Sequence, residues 1–194
     1  MRLILLIGLV LVASPVAAAG ISLGKANYGG PGCPQGTAAV VLASDGSSLS
    51  LLFDQYEVSA GGSTGKGFDR KSCNLAIPVH VPSGRSVAVV GIDYRGFNQL
   101  SAGSTSVFSV EYFLASAPGP KFTRNFKGPT AKDFLVSNKL TTKSTVWSGC
   151  GADVIFRTNS SIRVKSDNGK QALATVDTQD IRAAIVYRLQ WRSC

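Results

Sequence analysis

Histidine is nearly absent: His80 is the single one among 194 residues. Ser-His-Asp and Cys-His catalysis both need a base that exchanges a proton near neutral pH. His80 sits between Val79 and Val81 in an alternating stretch, so a histidine on a sheet face is expected, not a catalytic base. There is no C-x-x-C pair, and with one histidine that leaves no tetrahedral zinc set. No apolar run reaches the ~20 residues that span a bilayer. No window of about eleven residues keeps a helical apolar period with good caps. Gly61 to Asp69 is glycine-rich and contains Gly65-Lys66, yet Gly67 follows the lysine where a nucleotide-binding loop needs Ser or Thr and then a helix. That segment reads as a surface loop. Acid is scarce too, with 11 Asp and Glu against 20 Lys and Arg.

What is present begins with a leader. Met1-Arg2 is a short positive start, Leu3 to Ala13 is apolar, and Ser14-Pro15 breaks the run ahead of Val16-Ala17-Ala18-Ala19. This is the order of a signal peptide cut near Ala19-Gly20. Residues 1–19 are thus expected to be a signal peptide and 20–194 a single secreted domain, extracellular, or periplasmic if the host has an outer membrane. Cys33, Cys73, Cys150 and Cys194 all fall in the mature part. Four cysteines in an exported chain predict two disulfides with three possible pairings. Cys33–Cys73 with Cys150–Cys194 is favoured, each closing a loop of about 40 residues worth roughly 4 kcal/mol in the chain-entropy picture. Losing Arg2 leaves the mature chain near +8. Acidic polysaccharides and cell-envelope surfaces are the partners such a charge attracts outside the cell, in preference to nucleic acid. Basic residues are dense from Lys121 to Lys143, where Arg124, Lys127, Lys132 and Lys139 face only Asp133.

Strand patterning runs through the mature chain. Thr37 to Ala43 and Leu49 to Phe53 flank Asp45-Gly46, a hairpin-type turn. Leu75, Ile77, Val79 and Val81 alternate with Ala76, Pro78, His80 and Pro82, and the prolines imply an edge strand or a bulge. Val87 to Tyr94 is a short apolar run fit for a buried strand. Phe108, Val110, Tyr112 and Leu114 make one apolar face, and Ile185, Tyr187, Leu189 and Trp191 another. Ser161 to Lys165 and Ala172 to Val176 are further strands, while Ala117-Pro118-Gly119-Pro120 reads as a stiff turn between halves. Many short strands punctuated by Gly, Pro, Asn and Asp predict an all-β fold, a disulfide-stapled antiparallel β-sandwich of jelly-roll-like form.

The catalytic constellations are weak. Asp54 with Glu57, or Asp93 with Glu111, could form the carboxylate pair of a glycosidase, but 11 acids in one domain allow many such pairs. Asp45, Asp54, Asp93 and Asp153 lack the spacing of a calcium loop. No cofactor or metal is expected. Asn159-Ser160-Ser161 matches the N-glycosylation acceptor. Tyr56, Tyr94, Phe97, Trp147 and Trp191 are the candidate aromatics for stacking on sugar rings; Trp191 is expected in the core and Trp147 against a disulfide. Asp93, Tyr94 and Arg95 differ, since a strand end there would expose them as a ligand-binding cluster.

Six motifs in series carry a resemblance. Gly32-Cys33-Pro34-Gln35-Gly36-Thr37, Phe53-Asp54-Gln55-Tyr56, Arg70-Lys71-Ser72-Cys73 and Asp93-Tyr94-Arg95-Gly96 come first. Trp147-Ser148-Gly149-Cys150-Gly151 and Leu189-Gln190-Trp191-Arg192-Ser193-Cys194 complete them. Together they resemble the small secreted proteins grouped as domain of unknown function 4360. The resemblance implies export and a disulfide-stapled β domain, and implies no reaction. The leading expectation is a secreted, non-catalytic binding or surface-associated module. A polysaccharide hydrolase or lyase, and a cationic toxin or inhibitor, are the alternatives.

Overall fold

The computed structural model describes residues 20–114, 117–141, 144–176 and 184–194. The expected leader lies outside them. Two antiparallel sheets pack face to face as a sandwich. The first holds β1 (Ser22–Leu23), β2 (Asn27–Gly29), β6 (Phe68–His80), β8 (Ser104–Leu114), β9 (Ala117–Lys127) and β11 (Val154–Ser166). Its order is β1 and β2 along one side of β6, then β11, β8 and β9. The second holds β3 (Ala38–Leu42), β4 (Ser48–Phe53), β5 (Glu57–Ala60), β7 (Arg85–Leu100), β10 (Thr130–Lys139), β12 (Ala172–Thr175) and β13 (Ile185–Ser193). Here β7 is central. It pairs with β13 and then β12 along one edge and with β10 along the other.

Period-two alternation decides what goes inside, because successive strand side chains point to opposite faces. Leu75, Ile77 and Val79 from β6, Phe108 to Leu114 at alternate positions of β8, and Phe156, Ile162 and Val164 from β11 are buried. They meet Leu49, Leu51 and Phe53 of β4, Ile92 and Tyr94 of β7, and Ile185 and Tyr187 of β13. Leu189 and Trp191 are partly buried against the same core. Tyrosine hydroxyls in this interior need partners. Tyr187 pairs with the Thr158 hydroxyl at 2.6 Å and Tyr56 with that of Ser160 at 3.1 Å. Phe156 meets Tyr187 edge-on at 4.6 Å.

Both disulfides take the favoured pairing. Cys33–Cys73 ties the segment after β2 to β6, with Cα atoms 5.3 Å apart. Cys150–Cys194 ties the C-terminus to the segment before β11 at 5.9 Å. Two expectations need correction. Ala117-Pro118-Gly119-Pro120 is part of β9 and not a turn. β9 is the outermost strand of its sheet, and an edge leaves N–H positions that nothing needs, so proline is tolerated there. β6 in turn is not an edge strand. Its flanking strand is broken between Leu23 and Asn27, and Pro78 falls at that break, with its carbonyl accepting from Gly24 N–H at 2.9 Å. The basic stretch also divides: β9 carries Lys121, Arg124 and Lys127 in one sheet, and β10 carries Lys132 and Lys139 in the other. The crossing is pinned by Phe126 against Phe134, with ring centroids 4.7 Å apart. Lys143 lies outside the described residues.

Candidate functional site

Asp93, Tyr94 and Arg95 lie in the middle of β7, not at a strand end. The apolar run that suggested an end at Tyr94 continues as strand to Leu100, because β10 supplies hydrogen-bonding partners all along it. A bulge at Val90, where the pairing with β13 shifts register, changes which alternate positions face the core, so Ile92 and Tyr94 follow Val87 and Val89 inward. Tyr94 is 1% exposed and stacks on Phe122 at 5.1 Å, and burial pushes its hydroxyl well above the usual range. Tyr94 is therefore a core residue, which corrects its expected exposure. Asp93 and Arg95 point outward. Arg188 donates to one Asp93 carboxylate oxygen through Nη2 at 2.5 Å and Nε at 3.1 Å. Burial alone would raise the Asp93 pKa. The Ser137 hydroxyl opposite, with the Arg188 and Arg95 guanidiniums, outweighs it and holds the carboxyl below its ordinary value.

The other candidates disperse. Asp93 and Glu111 belong to different sheets, so they form no pair. Asp54 and Glu57 stand exposed about the β4–β5 turn. Asp45 accepts the Ser47 N–H at 2.9 Å and closes the β3–β4 turn, a bond that lowers its pKa. His80 ends β6 and its Nδ1 lies 2.8 Å from Asp153 Oδ1, which also accepts the Val81 N–H at 3.1 Å. Tyr56 is buried. Trp191 donates to the Gly46 carbonyl at 2.8 Å, and Trp147 lies opposite Ala88 with the Arg192 guanidinium 4.1 Å above its ring. Among the described residues no cluster of three or more His, Cys, Asp or Glu could hold a metal ion, and no helix is long and apolar enough to cross a membrane.

The feature that residue-by-residue reading missed is the outer face of the six-stranded sheet. Register stacks its outward side chains into rungs across β6, β11, β8 and β9. One rung is Asn74, Asn159, Glu111 and Lys121. The next is Ser72, Ser161, Ser109 and Thr123. Then come Arg70, Arg163, Val107 and Asn125, followed by Phe68, Lys165, Thr105 and Lys127. Arg157 stands one rung beyond Asn159, between Ala76 and Phe113. Four strands at ~4.8 Å spacing and rungs ~7 Å apart make a platform of about 14 by 20 Å. Six cations stand on it (Arg70, Lys121, Lys127, Arg157, Arg163 and Lys165) against one carboxylate, Glu111. Two shallow depressions lie in it, of about 290 Å³ and 340 Å³. Amides, hydroxyls and guanidiniums in this array can hydrogen-bond a hydroxyl-rich, anionic polymer. Phe68, 50% exposed, adds an apolar patch at one end. The alternation Arg157, Asn159, Ser161, Arg163, Lys165 was a visible signal for this face; its partners on three other strands were not.

A leader-type N-terminus, a two-disulfide sandwich and a bare polar sheet face define a secreted β-sandwich protein. Residues 19–194 match the family described as Domain of unknown function (DUF4360), and the chain belongs to that family. An "Uncharacterized secreted protein" of Arthroderma benhamiae is 34% identical over 169 residues, covering 86% of this chain and 69% of that one. Among solved structures, TmCBM61 in complex with β-1,4-galactotriose aligns over 87% of this chain and 88% of its own, with 10% identity and a TM-score of 0.27.

Proposed function

We propose that the mature protein, beginning near Gly20, is a non-catalytic binding module whose six-stranded sheet takes an acidic polysaccharide or a similar envelope polymer on its outer face. The supporting observation is that, among the described residues, five cations outside any ion pair (Arg70, Lys121, Lys127, Arg157 and Arg163) stand with one carboxylate, Glu111, on a platform whose other side chains are mostly amides and hydroxyls, while Lys165 is paired with Asp167. Exposed charges not committed to one another attract a polyanion over roughly a Debye length, ~10 Å at 0.1 M salt. Asn and Ser rungs supply the hydrogen bonds that position hydroxyls.

Native affinity electrophoresis tests the proposal. Protein from a host that adds no N-glycan, which keeps Asn159 bare, is expected to be retarded in gels containing polygalacturonate or dextran sulfate. It should run freely in neutral dextran, and the retardation should fade as salt is raised. Equal mobility in all gels at low salt would overturn the proposal.

A further inference from the structure

Within that face one rung is unusual. Arg70 of β6 and Arg163 of β11 are directly opposite in the antiparallel register. Directly opposed residues have Cβ atoms ~5 Å apart, and like charges so placed are unfavourable. Sheets usually relieve such a pair with a nearby carboxylate, and here the acids close by are committed elsewhere. Asp69 accepts the backbone N–H of Arg70 through one oxygen and that of Ser59 through the other, at 2.9 and 3.1 Å. Asp167 pairs with Lys165 at 2.6 Å. Glu111 lies two rungs away, about 14 Å along the strand direction, and stands opposite Lys121. The depression of about 340 Å³ is lined by both arginines with Ser109, Ser161, Thr123 and Val107. Two guanidiniums therefore open onto one recess with three hydroxyls and no acid.

We infer that the Arg70–Arg163 rung is an oxyanion subsite that receives one carboxylate or sulfate group of the ligand. It deepens the reading of the face as a polyanion site, but the subsite itself can be tested without any polymer. Planar guanidinium forks match two-oxygen groups, and charge-assisted bonds are about twice as strong as neutral ones. An anion seated between the arginines would turn their mutual repulsion into two favourable contacts. The neighbouring Ser109–Thr123 hydroxyl pair, 3.0 Å apart, would face the sugar ring that carries the group. Polarity along the platform follows. The acidic substituent sits at the arginine rung, and hydroxyls lie toward Asn159 and Glu111, where the carboxylate accepts.

The experiment compares the wild-type protein with Arg70→Gln, with Arg163→Gln, and with a Lys132→Gln/Lys139→Gln control that removes charge from β10 in the other sheet. The first readout is thermal midpoint in sodium sulfate against sodium chloride at matched ionic strength, since sulfate stabilises most proteins to some extent. A saturable extra gain in the wild type and the control, lost in either arginine variant, supports the subsite. No extra gain in the wild type, or its equal loss in the control, overturns it. The second readout is retention by polygalacturonate and by dextran sulfate, which should weaken roughly tenfold for each arginine removed. Loss on polygalacturonate alone assigns a carboxylate, and loss on dextran sulfate alone a sulfate ester. Polymer binding that ignores both substitutions would leave the wider function standing without this subsite. A sulfate gain without any polymer binding would keep the subsite and discard the wider function.

Discussion

The outer faces of the two sheets follow the same alternation and end in different states. On the seven-stranded sheet the outward charges along β13 are engaged: Arg188 grips Asp93, and Arg192 lies over Trp147, which sits across from Ala88. Toward β10 the exposed charges Lys139 and Asp133 stand without an ion pair among the described residues. The chain before Cys150 runs along β7 there, with Ser148 bonded to Val87 through both backbone and hydroxyl, and the Cys150–Cys194 bridge clamps it at the end of β13. On the six-stranded sheet, among the described residues, Arg70, Arg163 and Arg157 have no carboxylate partner. Paired charges such as Arg188 and Asp93 add to stability, whereas the proposed binding face leaves its arginines open.

The largest way to break this contrast is to free the segment that pairs with β7 at Ala88. Cys150→Ala with Cys194→Ala should cost about 2–5 kcal/mol in chemical unfolding, and it should leave polymer retention by the native fraction unchanged. If retention fell with stability, the two faces would not be independent. Next, Asp93→Ala should cost about 1.5 kcal/mol, since it strips a half-buried guanidinium of its acceptor. Its pH dependence has a definite sign. The folded-state pKa of Asp93 is depressed, so its stabilisation is present above the unfolded value near 4 and is lost as pH falls through the lower folded value. Thermal midpoints of wild type and variant should differ at pH 6 and converge in strong acid. Trp147→Ala should cost about 1 kcal/mol through the lost cation–π contact. The smallest effect is expected on the bare face. Arg163→Gln should shift stability by less than ~0.5 kcal/mol, or raise it, because it relieves a like-charge pair. A clear destabilisation by Arg163→Gln would mean that the arginine does structural work and would undo the contrast.

Much of the sandwich was legible because strand alternation is written locally. Phe108 to Leu114 and Ile185 with Tyr187 show their inner face within a few residues. The disulfide pairing was narrowed by export and loop length. Tyr94 was misread for a physical reason: Val87 to Ile92 is apolar or glycine on both faces and a bulge at Val90 swaps those faces, so the sequence carries no mark of which residues turn inward or where the strand stops. Beside that stretch, the segment around Trp147 pairs edge to edge with β7 at Ala88, and its position depends on chain far from β7. The prolines of β9 misled similarly, since a proline-rich turn and an edge strand share composition and differ only in what lies beside them.

By itself the sequence determined the compartment, the class of fold and the inner face of most strands, since a charged leader, paired cysteines and a period of two act over short range. Tertiary structure alone decided which outward residues stand together. Arg70 and Arg163 become neighbours only through the pairing of β6 with β11. Register between strands distant in the chain is set by how both buried faces fit the core, and a one-residue slip would have turned each arginine inward.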